Sequence, residues 1–383
     1  MTGKYSKEYK TDLAGGLIAV LLIISAWFIG RSIAEEDLGP LVKSAVKGYE
    51  IKSVISSTSC IAANKKDSIL VAIGTGDGYG GEMKVVVILS PSAYIDKVSI
   101  IQNRETASFI KKVERKSFLK QFEGLVCNSE LGEQTDAVSG ATMTCDGISE
   151  AVESASHNIA KEYLGLEVPP PKESKLVAGL REISWLVLIA LAYITAGIKW
   201  KQKLLRWSVM IISLIIIGFK LNIPLSISLV NKGLLGYWPD WHTQLYFYII
   251  IFGLLLLILL TGKNHYCDRI CPFGTTQEII GNISAAKTRS PGKYRRPLLW
   301  IQRMLALGVI IIALITRRPG AANYEVFGSM FRLTGNNLQF ILLIIVAILS
   351  LFIRRPWCGY LCPVRPVNDL VKFFRNDIVA RFR

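Results

Sequence analysis

Six stretches of the chain are apolar almost without interruption: roughly 13–30, 183–198, 204–219, 244–262, 298–316 and 337–353. A helix of about 20 mainly apolar residues crosses a bilayer core. Each stretch therefore predicts a transmembrane helix, the shorter ones completed by their flanks. The first admits a second reading, a signal peptide cleaved near Ser32-Ile33-Ala34, but its run is long for that and Arg31 interrupts the approach to the site. Between the first and second stretches the pattern changes. Met83-Lys84-Val85-Val86-Val87-Ile88-Leu89 and Ile95 to Ile101 are rich in β-branched residues and read as strands, with a turn at Ser90-Pro91-Ser92-Ala93. Asp146 to Leu164 reads as a helix, and Val168-Pro169-Pro170-Pro171 as a stiff linker.

Composition narrows the class. Of 383 residues 51% are hydrophobic and 19% charged, and the mean hydropathy is +0.38. An ordinary soluble enzyme and a disordered chain are both excluded. The net charge of +16 suggests nucleic acid until it is located. Residues 31–175 carry 17 basic and 20 acidic residues, and the remainder carries 28 and 9. The excess thus flanks the apolar stretches, as membrane proteins require, and no nucleic-acid partner is expected. Lys4, Lys7 and Lys10, then Lys199 to Arg206, then Lys263 to Arg296, then the tail from Arg354 fall on one side if six spans alternate. That side is cytoplasmic by the positive-inside rule. The expectation is a multi-pass protein of a bacterial plasma membrane, both termini cytoplasmic, with its polar domain outside. The domains are then 1–30 (N-terminus and first span), 31–168 (extracytoplasmic domain), 169–182 (linker) and 183–383 (five-helix membrane domain).

Three features of the outer domain carry candidate chemistry. Gly74-Thr75-Gly76-Asp77-Gly78-Tyr79-Gly80-Gly81 reads as a glycine-rich loop entering a strand, able to approach a phosphate or ring closely, or as a plain hairpin connection. Arg104-Glu105-Thr106 follows the second strand. Asp136-Ala137-Val138-Ser139-Gly140-Ala141-Thr142-Met143-Thr144 stands directly ahead of a helix. It offers either Ser/Thr caps or an anion site at the helix N-terminus.

This last segment resembles the S-G-A-T motif of the FMN-binding domain of NqrC, RnfG and NosR-type proteins. The order Gly-Tyr-Gly-Gly, Glu-Thr and Asp-x-x-Ser-Gly-Ala-Thr agrees with that family over about 75–150. The resemblance implies FMN joined by a phosphoester to Thr142, attached by a flavin transferase of the ApbE type, with Thr144 as the fallback acceptor. Asp136, Ser139, Gly140, Ala141, Glu105, Thr106, Gly80 and Gly81 are then the other flavin-site residues. Where the family often has Pro-Gly after Glu-Thr, this chain has Ala107-Ser108.

The cysteines divide in two. Cys60, Cys127 and Cys145 lie in the outer domain, where one Cys60–Cys127 disulfide is an open reading. The other four are patterned. Tyr266-Cys267-Asp268-Arg269-Ile270-Cys271-Pro272 and Trp357-Cys358-Gly359-Tyr360-Leu361-Cys362-Pro363 share aromatic-C-x3-C-P. Gln277-Glu278-Ile279-Ile280 then aligns with Asn368-Asp369-Leu370-Val371, a repeat of 91 residues. Such repeats fold around a pseudo-symmetry axis with the site at their interface. Four thiolates at the cytoplasmic membrane edge suit an iron–sulfur cluster, with zinc or free thiols as alternatives. Disulfides do not suit a reducing cytosol. The motifs resemble the membrane domains of NosR, NapH and PceC proteins, which implies electron transfer.

Haem is disfavoured, because the three histidines, His157, His242 and His265, place no pair inside the spans. Tyr237-Trp238-Pro239-Asp240-Trp241-His242 reads as an interfacial aromatic belt before a quinone pocket. The expected fold is an α+β FMN-binding domain joined to an all-α polytopic membrane domain of six helices with an internal two-fold repeat. The expected function is transmembrane electron transfer between a cytoplasmic-side cluster, shared by Cys267, Cys271, Cys358 and Cys362, and the outer FMN. Lipid and redox proteins or a quinone are its partners. Two other readings stay open: maturation or regulation of an exported reductase, and redox-driven transport, which the scarcity of ionisable residues in the spans disfavours.

Overall fold

A computed structural model describes residues 2–33, 45–46, 49–56, 59–63, 68–105, 107–170, 179–284, 286 and 294–381. The chain divides into two compact units, one of residues 31–173 with 317–320, the other of residues 1–30, 174–316 and 321–383.

The smaller unit is an antiparallel sheet with helices. Strands β1 (Glu50–Ser56), β2 (Ser59–Ala63), β3 (Ser68–Asp77), β4 (Glu82–Leu89) and β5 (Ile95–Gln102) lie in sequence order, each paired with the next. Helix α2 (Ala107–Arg115) follows, and then the long α3 (Thr142–Glu162), which packs on β3 and β4. The uninterrupted apolar run of β4 has a simple cause: both faces are covered. Met83, Val85, Val87 and Leu89 pack with Ile148, Ala151, Val152, Ala155 and Ile159 of α3. Val86 and Ile88 face a second cluster with Val46, Ala62, Ile69 and Val71. Alternation cannot show in a strand buried on both sides.

Two expectations change here. The glycine-rich segment is not one loop. Gly74 to Asp77 complete β3, and only Gly78 to Gly81 turn the hairpin, closed by Gly78 N–H to Gly81 O at 3.0 Å. A side chain at Gly74 or Gly76 would run into the carbonyls of Ala151 and Gly147 on α3. Those glycines therefore serve close helix–sheet packing rather than a ligand. The Cys60–Cys127 disulfide is absent, and all seven cysteines are free. Cys60 packs in the second cluster and Cys127 in the α3 side of the core, so the sheet separates them.

The larger unit is helical: α1 (Thr2–Ile33), α4 (Leu180–Gly197), α5 (Gln202–Ser213, continued as a π-turn to Lys220), α6 (Ile227–Leu234), α7 (Leu245–Thr261), α8 (Pro272–Ile283), α9 (Arg295–Thr316), α10 (Phe327–Phe331), α11 (Asn337–Phe352), α12 (Pro356–Tyr360) and α13 (Val364–Arg381). Among the described residues four helices are long and apolar enough to cross a membrane, namely Leu13–Ile33, Leu180–Gly197, Gln202–Lys220 and Arg295–Thr316. The other two apolar stretches are the shorter α7 and α11, of 17 and 16 residues. At 1.5 Å per residue they span about 25 Å, short of a hydrocarbon core of about 30 Å. Gly262 in the left-handed region (φ 65°) stops α7, and an Asn336–Gln339 capping box starts α11. Leu186, Ile194, Leu256, Leu260, Ile341, Ile348 and Phe352 are exposed large apolar side chains on these helices, the inverse of a water-soluble surface.

Candidate functional site

In the sheet unit the S-G-A-T segment forms the entry to α3. The helix begins at Thr142, four residues before the start that the sequence predicts. Its N-cap is Ala141, with no side-chain cap hydrogen bond. The turn is closed by Ala141 N–H to Val138 O at 2.8 Å and passes through Gly140 at φ +79°. Asp136, Ser139 and Thr142 are exposed, and Thr144 is buried with 1% of its surface accessible. Burial therefore separates the two candidate acceptors: only the Thr142 hydroxyl is open to a transferase.

Two neighbours complete the surroundings. A Cβ on Gly140 would stand 2.7 Å from Lys112 Nζ, so the half-buried lysine of α2 leans over the turn. A helix N-terminus with its dipole and an ammonium together suit a phosphate. Lys112 lies 30 residues before Thr142 and carries no motif, so nothing in the sequence marks it. On the hairpin side Gly80 N–H donates to Glu105 Oε1 at 3.0 Å, and Glu105 is buried. Tyr79 meets Phe109 of α2 edge-on at 5.6 Å. Gly80 and Gly81 thus sit beside Glu105, while Ser139 to Thr142 sit beside Lys112, with α2 between. Thr106 lies outside the described residues.

In the helical unit each cysteine motif is a short helical turn followed by a longer helix. Tyr266–Ile270 is a π-turn, after which Cys271 caps α8, its sulfur accepting from Gly274 N–H at 3.4 Å, with Pro272 at the first helical position. Cys358 lies in α12, and Cys362-Pro363 leads into α13. Cys271, Cys358 and Cys362 are buried and Cys267 half-buried. The two motifs meet. Gln277 Nε2 of α8 donates to Cys358 Sγ at 3.4 Å, and Asn368 Nδ2 of α13 lies 4.0 Å from Cys267 Sγ. Main-chain oxygens of the motifs are held by Arg355 to Cys267 O (2.8 Å), Arg365 to Cys358 O (2.8 Å) and Gln302 to Cys362 O (3.0 Å).

Both the first motif and the helix after it are tied to α5. Ser213, eleven residues into α5, donates to Ile270 O, and Thr275 Oγ1 to Met210 O at 3.4 Å. Loops at the far ends of neighbouring helices also reach them. Leu225 N–H donates to Tyr266 Oη at 3.0 Å, and Tyr324 Oη to Leu361 O at 2.6 Å.

Electrostatics bind the four thiols into one system. Burial pushes Cys271 up to about 12, and lifts Cys267 and Cys362 well above the ordinary thiol range; Cys358 rises for the same reason. Negative charge on the other sulfurs adds to the rise at Cys267, Cys271 and Cys362. Such thiols stay protonated until a cationic centre displaces the protons. Among the described residues no three His, Cys, Asp or Glu side chains close on a single point that could hold one metal ion.

The comparisons agree with both sites. Residues 78–157 match the family of FMN-binding domains, and residues 244–291 and 338–379 each match the 4Fe-4S binding domain family. The chain is 30% identical over 117 residues to the regulatory protein NosR of Pseudomonas aeruginosa, covering 28% of this chain and 16% of that protein. It is 24% identical over 202 residues to NosR of Stutzerimonas stutzeri, covering 46% and 28%. It is 29% identical over 161 residues to YccM of Escherichia coli, whose name describes a candidate electron transport protein, covering 38% and 44%. The matched stretches thus span less than half the length of these relatives. No solved structure matches the chain. The chain thus combines an FMN-binding domain with two 4Fe–4S segments beside apolar helices. In this it is similar to NosR-type FMN-binding membrane proteins.

Proposed function

We propose that this chain moves electrons across the bacterial plasma membrane, between a cluster held by Cys267, Cys271, Cys358 and Cys362 and an FMN joined through its phosphate to Thr142. The observation that carries the reading is the convergence of both cysteine motifs on one buried region, with each half reaching the other's sulfur. The charge distribution supports the cluster on the cytoplasmic side and the flavin outside. FMN exchanges one or two electrons, and so joins two-electron donors to one-electron carriers.

The chain's own residues do the rest. Gly140, the α3 N-terminus and Lys112 hold the phosphate end, with Ser139, Ala141 and Asp136 shaping the turn. Glu105 fixes the hairpin through Gly80 N–H, so that Gly80 and Gly81 border the flavin. Exposure of Thr142 admits an ApbE-type transferase as maturation partner. Quinone or redox proteins at the two faces complete the route, in a respiratory or extracytoplasmic reductase pathway.

Relatives named as regulatory proteins favour a second reading, in which the flavin serves maturation or control of an exported reductase. Anaerobic purification after co-expression with a flavin transferase, with iron, sulfide and flavin quantified together, tests both cofactors at once. Iron and sulfide in cluster proportion with one flavin per chain is the expected result. Flavin without iron would leave the second reading.

A further inference from the structure

The 91-residue repeat aligns Cys267 with Cys358, Cys271 with Cys362 and Gln277 with Asn368. The structure adds a crossing. Gln277, from the first half, meets the first cysteine of the second half, its Nε2 3.4 Å from Cys358 Sγ. Asn368, from the second half, meets the first cysteine of the first half, its Nδ2 4.0 Å from Cys267 Sγ. Both carboxamides are buried, with 1% and 7% of their surface accessible. A buried amide that serves only packing is a poor choice against an apolar side chain of similar volume. Here the same choice stands at two positions related by the repeat, and both face sulfur.

The orientation of Gln277 is held by its other partners. Its Oε1 accepts from Trp357 N–H at 2.9 Å and its Nε2 also donates to Phe273 O at 3.2 Å. Turning the amide over would set oxygen against the Phe273 carbonyl and N–H against the Trp357 N–H. The network therefore keeps the donor on the sulfur side.

We propose that Gln277 and Asn368 are crossed positioning residues of the cysteine site, each donating an N–H to the first cysteine of the opposite half. The inference rests on the four-cysteine cluster of the proposed function. Donors aimed at ligand sulfur stabilise the more negative, reduced cluster and raise its reduction potential. The closer approach of Gln277 makes it the stronger of the two.

The test uses the full chain in detergent or nanodiscs. Gln277→Met and Asn368→Leu withdraw the donors at similar volume. Each should keep wild-type iron and sulfide and lower the midpoint of the cluster's electron paramagnetic resonance signal, Gln277→Met by more. Asn368→Gln extends the donor's reach and should raise the midpoint, a change of opposite sign that a packing role would not produce. In chelated apoprotein, peptide mass spectrometry after iodoacetamide should find Cys358 alkylated several-fold more slowly in Gln277→Met and Cys267 in Asn368→Leu, with Cys271 unchanged. Midpoints unmoved in all three loaded variants would overturn the proposal. If wild-type protein holds no iron, the cluster reading fails by itself, and the alkylation rates then decide the brace: slowing at the crossed cysteines sustains it, and equal rates overturn it. If the two apolar variants fail to load, Asn368→Gln decides it alone by the direction of its shift.

Discussion

At the scale of single residues, burial rather than identity distinguishes groups that look alike in the sequence. Thr142 and Thr144 both follow Ser-Gly-Ala, yet only Thr142 is exposed. After co-expression with a flavin transferase, denatured wild-type protein should keep yellow fluorescence on a gel and Thr144→Ala should keep it too. Thr142→Ala should lose it; persistence there, with loss in Thr144→Ala, would move the acceptor. Lys112→Glu should slow flavin attachment in the same assay, since it sets a carboxylate where the phosphate must sit. The motif was legible because its residues are contiguous. Lys112 was not, because the fold alone brings α2 to Gly140. Glu278 is another residue known only from the fold. It is buried at 2% and receives both Arg206 Nη atoms at 2.8 and 2.7 Å, Arg354 at 3.0 Å and a further pairing from Arg355. Burial raises its pKa, and the Arg206 hydrogen bonds with Arg355 and Arg354 more than reverse this, so its carboxyl ends below the ordinary range. With a lowered folded pKa, the unfolded chain binds the proton first as pH falls. The stabilisation is thus full above about pH 4.3 and lost as pH drops through the lower folded value. Thermal unfolding of Glu278→Gln should show less acid sensitivity in that window than wild type. At pH 7 the variant should be less stable by about 1–3 kcal/mol, the loss of charge-assisted hydrogen bonds from Arg206 and Arg354.

At the scale of elements, the strands and helices were legible and the glycines were misleading. The run Met83 to Leu89 and the stretch from Ile95 became β4 and β5 with boundaries within a residue. The six apolar stretches all became helices, since hydropathy reports on the helix itself. What Gly74 and Gly76 do was hidden because it depends on an element about 70 residues away: α3 lies so close that its carbonyls fill the space of a side chain. Gly74→Ala should therefore destabilise the sheet unit by about 1–3 kcal/mol through overpacking, with no loss of flavin attachment at low temperature. A flavin defect at full stability would instead assign that glycine to the cofactor. What anchors the first cysteine motif was equally invisible, because the bonds of Ser213 to Ile270 and of Leu225 to Tyr266 join segments 57 and 41 residues apart.

At the scale of the whole molecule, the proposal stands or falls on sidedness and on passage between the two centres. Sidedness follows from Lys and Arg alone, so it is tested directly. In cysteine-reduced protein in cells, Ile110→Cys should react with an impermeant label added outside and Ser290→Cys should not; the reverse would invert the topology. Passage is the harder requirement. A cluster at the cytoplasmic edge and a flavin beyond the other face would be separated by the whole hydrocarbon core of about 30 Å. On the proposed topology the loops at Leu225 and Tyr324, bonded to Tyr266 and Leu361, are the matter that would have to bridge that gap. In proteoliposomes with reductant confined to the cytoplasmic face, wild-type protein should therefore bleach its outer flavin. Cys267→Ser and Cys358→Ser should abolish bleaching while the flavin stays attached. Because each cysteine belongs to a different half of the repeat, equal loss in both variants is what one shared cluster demands. Loss in only one would point to separate centres, and wild-type rates in both would leave the flavin to outer-face partners and favour the regulatory reading.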